Sequence, residues 1–284
     1  MNTPSALQHP NKIKILGHRG AKGERPENTL AGFNYCSKIY GMAGIEFDVQ
    51  LTDDNKLLII HDDNFNRIAN MQARIEQITA KQAKHIFTVN HNYLPSFIKQ
   101  YQAEPLPNTL ILLEELLPYL SSYQHIELEI KTHQRTNHKK LIEALASCLT
   151  KQQFKHLPLT LTGFDGHLLY LLKHHTRLAH YPRGLLTETK ENKVQLIQTA
   201  VQQCCSQIGL QEKLINEELV TLCKRYNLQL SAWTVNDFIR AKNLIKMGVN
   251  TIITDYPQAL LADLQNDNGI KLFLDKKKLI KHTL

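Results

Sequence analysis

The 284-residue chain has one tryptophan and only 7% aromatic residues, and it lacks several patterns that would direct its reading elsewhere. It has no stretch of about 18 consecutive apolar residues, so no membrane span is expected. The opening segment Met1–Asn11 is polar, with Pro4 and Pro10. It has no apolar centre of the kind a signal peptide needs, and it is expected to be a disordered lead-in. The five cysteines, Cys36, Cys148, Cys204, Cys205 and Cys223, are odd in number and include no Cys-x-x-Cys spacing. That supports neither a disulfide framework nor a zinc site and points to reduced thiols in a cytoplasmic protein. No Gly-x-Gly-x-x-Gly follows a predicted strand, which argues against a dinucleotide-binding fold. No basic and aromatic motif of a nucleic-acid-binding module is present, so nucleic acid is not an expected partner.

Net charge is also small outside one segment. The formal net charge is +8, and the tail Lys271–Leu284, with five lysines and one aspartate, carries +4 of it. The body is mildly basic, which suits an anionic partner such as a soluble phosphate or a lipid surface.

Short apolar strands alternate with amphipathic helices. Strands are predicted at Ile13–Gly17, Gly44–Val49, His125–Ile130, Leu159–Phe164, Tyr181–Leu186, Gln207–Leu210, Gln229–Thr234 and Thr251–Thr254. Helices are predicted at Leu30–Tyr40, Lys139–Leu149, Glu217–Tyr226 and Asp237–Met247. The alternation predicts a parallel sheet, and eight strands in about 250 residues is the count of an α/β (β/α)8 TIM barrel. A doubly wound open sheet is the alternative. One interval breaks the rhythm: about 75 residues separate the second and third strands, far more than one helix needs. A short strand at Leu57–His61, a helix at Thr79–Ile86 and a loop with Pro95, Pro105 and Pro107 make it a small insertion over one end of the barrel. The catalytic barrel is read as residues 12–265, with the insertion at about 62–110, a lead-in at 1–11 and a basic tail at 266–284. Asn28 or Thr29 is expected to cap the first helix, Asn236 the helix after Trp233, and Thr254 or Asp255 the last helix, ahead of Pro257.

The chemistry lies at strand ends. His18-Arg19-Gly20 follows the first strand, Glu46-Phe47-Asp48 lies in the second and Glu129-Ile130-Lys131 in the third. Side chains alternate along a strand, so Glu46 and Asp48 share one face, as do Glu129 and Lys131. The opposite face, Ile45, Phe47, Val49, Leu128 and Ile130, is apolar and suits packing against outer helices. The charged faces then point into the barrel mouth, at the carboxyl end where barrel enzymes keep their sites. Acids and bases converging from three strands point to a polyanion or metal site.

The ordered set Gly17-His18-Arg19-Gly20, Pro26-Glu27-Asn28-Thr29, Glu46-Phe47-Asp48-Val49, His61-Asp62, Glu129-Ile130-Lys131, Ala232-Trp233-Thr234-Val235-Asn236 and Ile252-Ile253-Thr254-Asp255 resembles the glycerophosphodiester phosphodiesterase family over roughly Ile13 to Leu264. The resemblance implies a (β/α)8 barrel with a small insertion after strand two. It also implies that Glu46, Asp48 and Glu129 are metal ligands and that His18 and His61 are a catalytic pair. The residue types fit that chemistry. A phosphodiester is anionic and its alkoxide leaves badly, so charge must be neutralised and the leaving oxygen protonated. Three carboxylates are hard oxygen ligands for one Mg²⁺ or Ca²⁺, which would hold a phosphate oxygen. Arg19 and Lys131 add fixed positive charge, and His18 and His61 supply proton transfer near neutral pH. Trp233 is a candidate wall for the substrate's carbon skeleton, with Phe164 a second; the family commonly has serines where Thr162-Gly163 precede Phe164. Glu127, one layer deeper than Glu129, needs a partner such as Lys131, and Glu27 is expected to hold the first loop.

The function implied is metal-dependent hydrolysis of glycerophosphodiesters to glycerol 3-phosphate and an alcohol. The competing enzyme reading is a phospholipase D-like relative acting on lysophospholipids. A reading of another class is an inactive barrel that binds phosphate ligands. The tail mixes lysines with apolar residues and offers a weak contact with an anionic membrane surface.

Overall fold

The computed structural model describes residues 13–90, 110–151, 154–188 and 192–267. Eight parallel strands close a barrel: β1 (Lys14–Gly17), β2 (Gly44–Leu51), β4 (His125–Ile130), β5 (Leu159–Gly163), β6 (Arg183–Thr187), β7 (Gln207–Gln211), β8 (Gln229–Trp233) and β9 (Thr251–Thr254). Each pairs with the next, and β1 pairs with both β2 and β9, so the ring has no edge. The ninth strand, β3 (Leu57–Ile59), runs antiparallel to the end of β2, with Val49 opposite Ile59. This is the (β/α)8 barrel expected from the strand count, and the open-sheet alternative is excluded by closure.

The two faces of each strand divide as their composition dictates. Ile15, Ile45, Phe47, Val49, Leu128, Ile130, Leu161 and Ile208 are buried with helix residues such as Phe33, Leu141, Leu145 and Leu168 in one core. That core is therefore the layer between the barrel wall and its helices. Phe33 and Phe47 meet edge to face with centroids 5.6 Å apart, and burying one such ring is worth roughly 1.5–3 kcal/mol. The inner face is polar: the Ser231 hydroxyl of β8 donates across the barrel to Glu127 of β4 at 3.2 Å.

The helices α1 (Leu30–Lys38), α4 (Leu113–Leu120), α5 (His138–Leu149), α6 (Gly166–His174), α7 (Lys193–Gln202), α8 (Glu217–Arg225), α9 (Phe238–Met247) and α10 (Pro257–Gln265) wrap the barrel. Thr29 caps α1, accepting from the Gly32 amide. Two expected caps are corrected. Asp237, not Asn236, caps α9, because Asn236 is occupied by Asp255 and Thr254. The last helix has Pro257 in its first turn and Tyr256 at the cap position, with no side-chain cap bond.

The described part of the interval between β2 and β4 contains β3 and, within the insertion, a short helix α2 (Asn66–Ala69), a 3₁₀ turn Ile75–Gln77 and α3 (Ala80–Asn90). It has its own small core of Leu58, Ile60, Phe65, Ala69, Ile75, Ala83, Ile86 and Leu110. The loop prolines 95, 105 and 107, the lead-in 1–11 and the tail beyond 267 lie outside the described residues. Among the described residues, no helix is long and apolar enough to cross a membrane.

Candidate active site

The turn after β1 is built for close approach. A Cβ on Gly17 would fall 1.8 Å from the Gly20 carbonyl oxygen. Arg19 and Gly20 both have positive φ, 50° and 86°, and left-handed backbone of this kind is easiest for glycine. The turn is held in place by the barrel: the His18 amide donates to the Thr254 carbonyl at 2.8 Å, and the Arg19 amide to Glu46 Oε2 at 3.0 Å. It therefore delivers His18 and Arg19 to the mouth, beside the second strand's carboxylates.

Register does the rest. Asp48 of β2 lies opposite Glu129 of β4, and one carboxylate oxygen each from Glu46, Asp48 and Glu129 lies within 4.8 Å of the others. All three residues are buried. Like charges directly opposite on neighbouring strands repel, so this cluster needs positive charge. Arg19 and Lys131 supply part of it. Arg19 Nε is 3.5 Å from Asp48 Oδ2. Lys131 Nζ is 3.2 Å from Asp48 Oδ1 and touches Glu129 Oε1. Lys131 thus bridges the two carboxylates and offsets part of their mutual repulsion. Asn28 Nδ2 donates to Asp48 Oδ2 at 3.0 Å.

The electrostatics follow. Burial raises the Glu46 carboxyl well above its ordinary value, and its neighbours Asp48 and Glu129 add to this. Burial, then Asp48, pushes Glu129 up to about 7. At Asp48 burial also opposes charge, but Lys131 and Arg19 outweigh it and hold the group ionised below its usual range. Three buried carboxylates converging on one point fit one hard divalent cation, whose oxygen ligands stand about 2.0–2.6 Å from the ion. Glu46, Asp48 and Glu129 are thus able to hold a divalent metal.

The two histidines are each anchored through Nδ1. His18 Nδ1 is 2.6 Å from Asp255 Oδ1, and His61 Nδ1 is 2.7 Å from Asp62 Oδ1. A carboxylate on Nδ1 favours the proton there and leaves Nε2 as the free nitrogen; His18 Nε2 is 3.9 Å from Glu46 Oε2. Burial lowers the His18 pKa, with Asp255 opposing. His61 is delivered by the insertion, where Gln50 Nε2 donates to the carbonyls of Ile60, His61 and Asp62.

A cavity of about 390 Å³ at the barrel mouth is lined by His18, Arg19, Glu46, His61, Glu129, Lys131 and Trp233. Every site residue inferred from the sequence is on that wall except Asp48, which lies just beneath it between Arg19 and Lys131. Trp233 packs edge to face on Phe164, centroids 5.8 Å apart, making an aromatic part of the wall, with Lys131 Nζ 5.8 Å from the Phe164 ring centroid. A larger groove of about 660 Å³ lies on the flank along α5 and contains none of this constellation. Glu127 is corrected: its partners are His125 at 3.3 Å and Ser231, not Lys131. Glu27 holds the first loop as expected, accepting from Arg19 at 3.1 Å. Sequence reasoning gave Asp62 no role and Asp255 only that of a helix cap, although each stands in a quoted motif, and it did not single out Arg67.

The sequence profile of the glycerophosphoryl diester phosphodiesterase family matches residues 18–259. A glycerophosphodiester phosphodiesterase of Bacillus altitudinis is 28% identical over 251 residues, covering 86% of this chain and 95% of that one. One from Caldanaerobacter subterraneus is also 28% identical, covering 88% and 97%. Among solved structures, an Oleispira antarctica phosphodiesterase in complex with the product sn-glycerol-3-phosphate superposes with a TM-score of 0.77. It is 24% identical and covers 89% of this chain and 97% of that one. The strand-end charges, the closed barrel and these matches agree, and the chain belongs to the glycerophosphoryl diester phosphodiesterase family of phosphoric diester hydrolases.

Proposed function

We propose that the protein hydrolyses water-soluble glycerophosphodiesters, such as glycerophosphocholine or glycerophosphoethanolamine, to glycerol 3-phosphate and an alcohol. The observation that carries this reading is the convergence of two carboxylate-anchored histidines, two cations and three buried carboxylates on one cavity. Glu46, Asp48 and Glu129 would hold one Mg²⁺ or Ca²⁺, which would supply positive charge to neutralise the phosphate. Arg19 and Lys131 bind the phosphate; burial opposes their charge, but Asp48, with Glu27 at Arg19 and Glu129 at Lys131, keeps both protonated. Trp233 and Phe164 form the apolar wall for the carbon skeleton.

His18 and His61 divide two proton transfers. One nitrogen takes the proton of the attacking oxygen as it bonds to phosphorus, and the other gives a proton to the ester oxygen as its bond to phosphorus breaks. The attacking oxygen is that of water, or of the glycerol's neighbouring hydroxyl by way of a cyclic phosphate. Asp255 and Asp62 hold the rings and stabilise each imidazolium as it forms.

The catalytic unit in this reading is residues 12–265, with the insertion at about 62–110 inside it and the basic tail at 266–284 outside it. Five free cysteines support a cytoplasmic setting. The insertion also bears on substrate choice. Its apolar side chains Phe65, Ile75, Ala83 and Ile86 are spent on its own core, which leaves them unavailable to an acyl chain. This favours deacylated substrates over lysophospholipids. Comparing kcat/KM on glycerophosphocholine and lysophosphatidylcholine should give at least a tenfold preference for the former. A tenfold preference for the lysolipid, about 1.4 kcal/mol of transition-state binding, would replace this reading with the phospholipase D-like one.

A further inference from the structure

We propose that Arg67, on α2 of the insertion, is a positioning residue that sets two side chains facing the substrate, His61 through Asp62 and Arg19 through Glu27. Its guanidinium uses three nitrogens on two carboxylates. Nε donates to Asp62 Oδ2 at 2.7 Å. Nη1 and Nη2 donate to Glu27 Oε2 and Oε1 at 2.9 and 2.6 Å. Each carboxylate then meets one residue of the cavity wall: Asp62 Oδ1 holds His61 Nδ1 at 2.7 Å, and Glu27 Oε1 accepts from Arg19 Nη1 at 3.1 Å.

An exposed ion pair by itself contributes little, and the Arg67 side chain is 46% exposed. Its significance lies in what the two carboxylates do next. Neither residue can shift without moving a group that faces the substrate. The planar fork fixes the angle between them, which a lysine, as a point charge on a flexible stem, does not. The base of the clamp is rigid: Phe65 and Ala69, which flank Arg67 along the chain, are buried in the insertion's own core. Burial disfavours charge on Asp62, but the bonds from His61 and Arg67 keep it ionised. The insertion thereby becomes part of the reaction machinery, because it both carries His61 and ties it to the loop after β1.

This inference rests on the phosphodiesterase reading and on proton transfer by His61. The test uses the full chain with its metal and glycerophosphocholine as substrate. Arg67→Ala should lower kcat by about tenfold to 100-fold, the scale of a group displaced by an ångström, and raise KM by a smaller factor. Arg67→Lys should recover little of that loss. Guanidinium ion at sub-denaturing concentration should restore several-fold activity to Arg67→Ala and none to the wild type. In a His61→Ala background, Arg67→Ala should cost several-fold less than it does in the wild type, because only its hold on Arg19 through Glu27 is left to lose. Kinetics of Arg67→Ala within twofold of wild type would overturn the proposal. So would a loss that is fully additive with His61→Ala and unmoved by guanidinium, which describes a merely structural residue. A normal rate in His61→Ala alone would overturn the underlying reading of the pair, an outcome separate from a crippled His61→Ala beside a normal Arg67→Ala.

Discussion

Replacing His18 or His61 by alanine should each lower kcat by roughly 10²–10⁴-fold, the usual effect of losing a general acid or base. Both rings sit at the barrel mouth, and neither belongs to the apolar layer that stabilises the fold, so the variants should remain folded. The split between the two is itself informative. A substrate with a good leaving group, such as a nitrophenyl ester of glycerol phosphate, needs no proton on departure. It should rescue whichever variant has lost the acid and leave the other impaired. A near-normal rate in either alanine variant on glycerophosphocholine would remove that residue from the mechanism.

The second large effect is expected at Asp48. This carboxylate is the most buried of the three and is the one that Asn28, Arg19 and Lys131 all address. Asp48→Asn keeps the shape but removes the charge on which both cations converge. Losing the metal's charge stabilisation is a matter of several kcal/mol, so kcat/KM should fall by about 10³-fold or more, and divalent-ion affinity measured by calorimetry should fall with it. Retained metal affinity with unchanged kinetics would show that the cation, if held, is held elsewhere.

Much of this site was legible before any coordinates, for a physical reason. Period-two alternation decides which side of a strand each residue faces, so Ile45, Phe47 and Val49 on one face of β2 forced Glu46 and Asp48 to the other. The eight-strand count, the carboxyl-end placement and the ordered motifs then fixed where those faces meet. What could not be read are contacts that depend on closure and register. His18 and Asp255 are 237 positions apart and meet only because β1 closes against β9. Glu127 finds Ser231 across the barrel interior, where the nearer Lys131 had been the natural expectation; Lys131 is drawn upward by Asp48 and Glu129. Asn236 has the right chemistry for a helix cap, but Asp255 and Thr254 compete for it and win. Arg67 lies in a segment of weak pattern, and nothing in local spacing reveals that two of its three donors reach Glu27, 40 positions away.

The most direct test of the central claim is hydrolysis by metal-depleted protein, followed by return of a single divalent ion. Stripped of metal, the protein should release no glycerol 3-phosphate from glycerophosphocholine. Adding Mg²⁺ or Ca²⁺ should restore release, with free choline appearing in equal amount. Full activity in excess chelator, or glycerol and phosphocholine as the products, would contradict it.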